Sequence, residues 1–196
     1  DRIINGTFDW AYEEEFHCRD GFRWSPDGRN IAYWRIDATT IRDFYMINNT
    51  DSIYSYLIPV EYPKAGEKPS EAKIGVIDAS GGSTVWMQIE GDPTNNYLPR
   101  MIWHPNGDKL LMQQLNRAQN YNKILEGNIA DGRVKKTYED KDEAWLEAVD
   151  DFNYFDKGKA FSWVSEKNGW KSLYLIREGR EKAISPLDSD LLSISL

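Results

Sequence analysis

Three segments of the chain align without gaps: Trp24-Ser-Pro-Asp-Gly28-Arg-Asn-Ile31, Trp103-His-Pro-Asn-Gly107-Asp-Lys-Leu110 and Tyr154-Phe-Asp-Lys-Gly158-Lys-Ala-Phe161. In each, an aromatic is followed four residues later by Gly and seven later by a large apolar residue. This is the pattern of a β-hairpin: an aromatic ends one strand, Gly supplies a positive φ in a polar turn, and an alternating strand follows. Three copies of one hairpin imply a repeat architecture, which excludes most other folds for a chain of 196 residues.

A second hairpin follows each of the three. Lys73 to Asp78 and Ser83 to Ile89 flank Ala79-Ser-Gly-Gly82, Asn122 to Ile129 and Arg133 to Tyr138 flank Ala130-Asp-Gly132, and Trp170 to Ile176 and Arg180 to Ile184 flank Arg177-Glu-Gly179. Each unit reads as four short antiparallel strands, the blade of a β-propeller. The expected fold is all-β: a partial propeller of about three four-stranded antiparallel blades, with a short acidic helical segment at the N-terminus and a long arm insertion in the first blade. The expected bounds are 1–19 for the acidic segment, 20–90 for the first blade, 100–139 for the second and 150–185 for the third.

Spacing supports the repeat and locates the insertion. The second and third copies stand about 50 residues apart, a normal blade length, whereas the first and second stand about 80 apart. The surplus falls across 37–72, between the second and third strands of the first blade, where Pro59, Pro63, Gly66 and Pro69 sit among Phe44, Tyr45, Tyr54, Tyr56 and Tyr62. So many large rings favour an arm that docks on something over a disordered loop. Asp142 to Asp150 is ambiguous. Its residues favour a short helix, but the repeat places a connection between blades there, and the connection is preferred.

Charge narrows the partners. With 24 Lys and Arg against 32 Asp and Glu the net charge is −8, so a nucleic-acid backbone, which needs clustered cations, is not expected. No apolar stretch approaches the roughly 18 residues needed to cross a bilayer. Cys18 is the single cysteine and has no partner within the chain, so it reads as a buried thiol. The chain opens on Asp1 without a signal-like apolar run, so it is expected to be processed or excised from something longer.

Catalytic machinery is not expected within this chain. A Gly-x-Ser-x-Gly elbow is missing. Of the two histidines, His104 fills the turn position held by Ser25 in the first copy, and His17 merely follows an acidic run. No spacing suits a metal, and no cofactor is expected.

The segment with chemical content is Asp9-Trp-Ala-Tyr-Glu13-Glu-Glu15-Phe. A Glu triplet is ordinarily a solvated turn of helix. Here Trp10, Tyr12 and Phe16 bracket it and should anchor it against protein, while three adjacent carboxylates repel unless a cation is near. Such a cluster on a fixed backbone suits an ammonium or guanidinium group.

At this point the chain resembles the propeller domain of the dipeptidyl peptidase IV family, in the prolyl oligopeptidase clan of serine peptidases. The matching strings are Asp9-Trp-Ala-Tyr-Glu-Glu-Glu15, Trp24-Ser-Pro-Asp-Gly28 with Ile31-Ala-Tyr33, Tyr62-Pro-Lys-Ala-Gly66, Leu115-Asn-Arg-Ala-Gln-Asn-Tyr121 and, less sharply, Asn168-Gly-Trp170. They run in the family's order over essentially the whole chain. The missing vertebrate cysteines give it a bacterial style.

The resemblance implies a full-length protein in which an eight-bladed propeller caps an α/β-hydrolase domain that carries the Ser-Asp-His triad downstream. It further implies release of dipeptides with Pro or Ala second, a periplasmic or extracellular location, and a homodimer through the arm around Tyr54, Tyr56 and Tyr62. The second and third Glu of the triplet, Glu14 and Glu15, would hold the substrate's α-ammonium, assisted by an Arg from an earlier propeller segment outside this chain. Cys18 stands where the family pattern carries Ser, which leaves any pocket wall at that position different. The alternative is a stand-alone propeller that binds a cationic ligand or a protein partner through the acidic segment. A Gly-x-Ser-x-Gly elbow further along the parent protein discriminates the two.

Overall fold

The computed structural model describes residues 2–194. It is a partial all-β propeller of three antiparallel blade sheets and a separate two-stranded arm, with one short α-helix. The first sheet contains β1 (Ile3–Asn5), β2 (Phe22–Trp24) and β3 (Asn30–Asp37). The arm hairpin, β4 (Asp43–Asn48) and β5 (Tyr56–Glu61), forms a sheet of its own before the first sheet resumes with β6 (Glu71–Asp78) and β7 (Val85–Trp86). The second sheet holds β8 (Asn96–Tyr97), β9 (Met101–Trp103), β10 (Lys109–Asn116), β11 (Tyr121–Asn128) and β12 (Val134–Lys141). The third runs β13 (Tyr154–Phe155), β14 (Ala160–Ser165), β15 (Ser172–Arg177) and β16 (Arg180–Ala183) in simple order.

The repeat has a direct structural cause. The aromatic and the apolar residue seven places on are cross-strand partners in all three copies: Trp24 opposite Ile31, Trp103 opposite Leu110 and Tyr154 opposite Phe161. The turns between them put Gly28, Gly107 and Gly158 at φ of 70°, 73° and 88°, the left-handed region where a Cβ is penalised.

In the first two sheets the edge strand is broken rather than single. β1 and β2 both pair with β3, and β8 and β9 both pair with β10. The only α-helix among the described residues, α1 (Trp10–Phe16), lies between β1 and β2. The acidic segment therefore lies inside the first blade and not ahead of it, because Ile3, Ile4 and Asn5 pair with Asp37, Ile36 and Arg35. The arm leaves the same blade where β3 ends and returns where β6 begins, at the paired residues Asp37 and Glu71.

The middle blade explains the burial. Leu110, Met112 and Leu115 of β10 face the first blade and α1, packing with Tyr12, Trp34, Ile74 and Leu98. Leu111 and Ile124 face the third blade, packing with Phe161, Trp163 and Ile176. With both faces covered, β10 is buried along its whole interior from Leu110 to Leu115, Gln113 and Gln114 included, and each large apolar side chain it buries contributes about 1.5–3 kcal/mol. β3, covered on one face only within this chain, alternates in burial from Ile31 to Asp37.

Residues 142–150 form a connection without a helix. Its helical preference is overridden because the second blade takes its donors: the Leu146 N–H bonds the carbonyl of Gln119, in the turn after β10, at 2.6 Å, and the Val149 N–H bonds Oε1 of Gln113, in β10, at 3.0 Å.

Candidate functional site

The helix α1 is an excursion from the edge strand of the first blade. Gly6 donates its N–H to the Trp34 carbonyl at 2.9 Å, Trp34 donates to the Gly21 carbonyl at 2.9 Å, and Gly21 donates to Gly6 at 3.1 Å. The strand thus stops at Gly6 and resumes at Gly21 without losing register against β3, and everything between projects from the sheet edge.

Local sequence decides the helix limits. Asp9 is its N-cap, with one carboxylate oxygen accepting the Tyr12 N–H at 3.1 Å. His17 adopts φ 56° and stops it, and the Cys18 N–H turns back to the Tyr12 carbonyl at 3.1 Å. Two turns of helix cannot hold themselves in water, so packing must. Tyr12 and Phe16, one turn apart, are buried against Tyr97 at 6.1 and 4.8 Å, and the Tyr12 hydroxyl accepts the Leu98 N–H at 3.0 Å. Burial pushes the Tyr12 phenol well above its ordinary range, so it stays protonated.

The opposite flank carries the charges. Glu14 and Glu15 are exposed and Glu13 is partly covered. Three adjacent carboxylates call for a cation, and the chain supplies one: Arg19 stands 3.5 Å from Glu13 and 3.9 Å from Glu14. Among the described residues, no ion pair involves Glu15. An incoming ammonium would meet Glu15 free and share Glu14 with an exposed, easily displaced guanidinium. Nothing in the sequence pattern singles out Arg19. Its signal, a cation one helical turn beyond Glu15, is legible only once the helix is known to end at His17.

A cavity of about 330 Å³ opens at the far end of α1, lined among others by Cys18, Arg23, Arg100 and Asp150. Arg100 spans it, donating to Asp150 Oδ1 at 2.6 Å, the Pro99 carbonyl at 2.8 Å and Cys18 Sγ at 3.4 Å. Cys18 is a buried free thiol. His104 lies apart from all this, buried in its turn, edge-on to the Tyr154 ring at 4.9 Å and 3.2 Å from Asp108. Among the described residues, no group of three His, Cys, Asp or Glu side chains is placed to hold a metal.

The arm carries a run of exposed large apolar side chains. Ile53 and Tyr54 at its tip are 97% and 84% exposed, and Tyr45, Ile47, Tyr56 and Leu57 are open along its length. Tyr62 differs from the other tyrosines of the arm: its ring packs on Trp10 of α1 at 4.4 Å and on Phe44 at 5.7 Å.

Comparison with known proteins gives this geometry a family. The model of the dipeptidyl peptidase IV N-terminal region matches residues 1–190. The crystal structure of Porphyromonas gingivalis dipeptidyl peptidase 4 superposes with a TM-score of 0.87 at 28% identity, over 94% of this chain and 27% of that one. Dipeptidyl peptidase 4 of Trichophyton rubrum is 25% identical over 98% of this chain and 27% of its own length. The mouse protein named inactive dipeptidyl peptidase 10 is 27% identical over 85% of this chain and 22% of its own length. The chain thus spans about a quarter of the length of the relatives it matches. It belongs to the dipeptidyl peptidase IV family and corresponds to that family's N-terminal propeller region.

Proposed function

We propose that this chain is the noncatalytic propeller part of a dipeptidyl peptidase IV-like serine exopeptidase. Glu14 and Glu15 hold the free N-terminus of a peptide, and a hydrolase domain outside this chain releases a dipeptide with Pro or Ala second. The observation that carries the reading is the pair of exposed carboxylates on a helix extruded from a blade's edge strand and anchored by Tyr12 and Phe16. An ion pair at 4 Å is worth about 1 kcal/mol in water and about 4 kcal/mol at an effective dielectric near 20, so such a grip dominates recognition only where the surrounding protein excludes water. Two extended residues span at most about 7 Å, so pinning the amine selects the second peptide bond.

The test is to change Glu14→Gln and Glu15→Gln singly in the full-length protein and measure kcat/KM on a Gly-Pro substrate. We expect losses of at least tenfold and refusal of the N-acetylated peptide, whose amine carries no charge. Losses under about threefold for both, or ready cleavage of the acetylated peptide, overturn the reading. The reading also puts the protein in the periplasm or outside the cell and makes it a homodimer through the arm around Tyr54 and Tyr56. Cell fractionation checks the location.

One observation favours a second reading, a propeller that binds a cationic ligand or protein partner without hydrolysis: a relative of comparable similarity is named inactive. A Gly-x-Ser-x-Gly elbow followed by Asp and His in the rest of the protein decides for the peptidase.

A further inference from the structure

The arm is built into the support of α1. Trp10, on the arm side of the helix, meets the Tyr62 ring edge-on at 4.4 Å, and Tyr62 in turn packs on Phe44 of β4 at 5.7 Å. Asp9, whose first carboxylate oxygen caps the helix, accepts the Ser70 hydroxyl on its second, and both residues are buried. Ser70 is the last residue before β6, on the leg by which the arm returns to the blade. The return leg is also tied to the other flank: Arg117 lies over the Tyr97 ring at 5.6 Å, and its Nη2 donates to the Glu67 carbonyl at 3.4 Å.

The two flanks differ in kind. Tyr97 and Leu98 belong to, or directly follow, a strand of a five-stranded sheet, which is a rigid support. The arm is a two-stranded hairpin with an exposed tip, marginal as an isolated element. A helix this short takes its position from what it leans on. The arm flank is therefore the adjustable one.

We propose that Tyr62 and Ser70 are positioning residues. Through Trp10 and the Asp9 cap they set where Glu14 and Glu15 stand, so the arm governs the affinity for the substrate's amine. This rests on the amine-binding reading above. Neither residue touches substrate. The effect must therefore appear in KM for free-amine peptides, with the chemical step spared.

The experiment measures kcat and KM on a Gly-Pro substrate for Tyr62→Ala, Tyr62→Phe and Ser70→Ala in the full-length protein. Tyr62→Ala is repeated in a Glu14→Gln, Glu15→Gln background, and thermal midpoints are recorded throughout. We expect Tyr62→Ala to raise KM at least fivefold with kcat within twofold, and Tyr62→Phe, which keeps the ring, to restore it. Ser70→Ala should raise KM two- to fivefold, and it carries the test if Tyr62→Ala fails to fold. Tyr62→Ala should add nothing once both carboxylates are gone. Unchanged KM in the folded variants, or a loss that persists undiminished in the Gln background, overturns the positioning role while leaving the carboxylate grip intact. If Glu14→Gln and Glu15→Gln themselves change nothing, the amine-binding reading fails and the positioning role falls with it.

Discussion

Gly21 donates its backbone N–H to the Gly6 carbonyl at 3.1 Å, closing the base of the excursion that carries α1. The contact leaves no room for a side chain. A Cβ on Gly21 would lie 2.6 Å from the Thr7 nitrogen and 2.7 Å from the Gly6 carbonyl carbon, both backbone atoms that cannot swing aside. Gly21→Ala is therefore expected to destabilise by about 3 kcal/mol and to displace α1. Gly28→Ala meets nothing within 4 Å and bears only the strain of φ 70°, about 1 kcal/mol. Thermal denaturation of the two variants should rank them in that order. The reverse ranking would mean that the excursion can open without loss.

Tyr12→Phe tests the anchor more gently. It keeps the ring against Phe8, Phe16 and Tyr97 but strands the buried Leu98 N–H, whose acceptor is the Tyr12 hydroxyl. Leaving such a donor unpaired costs about 1–3 kcal/mol. A lowered thermal midpoint with an unchanged circular dichroism spectrum is the expected result. An unchanged midpoint would show that Leu98 finds another partner.

Cys18 supplies a pH dependence. Burial pushes its thiol above the ordinary value, against the pull of Arg100. A folded-state pKa above the unfolded one favours the protonated thiol. The associated stability is complete below the unfolded value, near 8.5, and is lost as pH rises through the folded value. Between pH 8 and 10 the thermal midpoint should fall more steeply in the natural protein than in Cys18→Ser. Iodoacetamide should modify the native thiol more slowly at pH 7.5 than it does in denaturant. Parallel midpoint curves for the two proteins would refute this.

For the arm, the expectation is a partner surface. Changing Ile47, Tyr54 and Leu57, all exposed, to Ser removes apolar surface without touching the Tyr62 contact with Trp10. If the arm joins two copies, light scattering should show a dimer in the natural protein and a monomer in the triple variant. A dimer that persists at the same concentration would place the interface elsewhere.

The repeat is written in local sequence, because an aromatic, a Gly and an apolar residue at fixed offsets are cross-strand neighbours joined by one tight turn. Trp24 with Ile31, Trp103 with Leu110 and Tyr154 with Phe161 need nothing beyond their own segments to find each other. The same holds for the arm, visible as surplus length, and for α1, whose Asp9 cap is local. The rest follows from long-range packing. Ile3 to Asn5 joins the first blade only because the far end of β3 offers it partners 30 or more residues away, so nothing in its own three residues marks it as half of a broken strand. Residues 142–150 have helix-forming side chains, yet Gln113 and Gln119 of the second blade take their N–H groups. The position of α1, and with it of Glu14 and Glu15, depends on Tyr97 from one blade and Tyr62 from the arm. Short-range hydrogen bonds and turns are written in adjacent residues, whereas a packed position is an agreement among distant ones, which exists only once the chain has closed on itself.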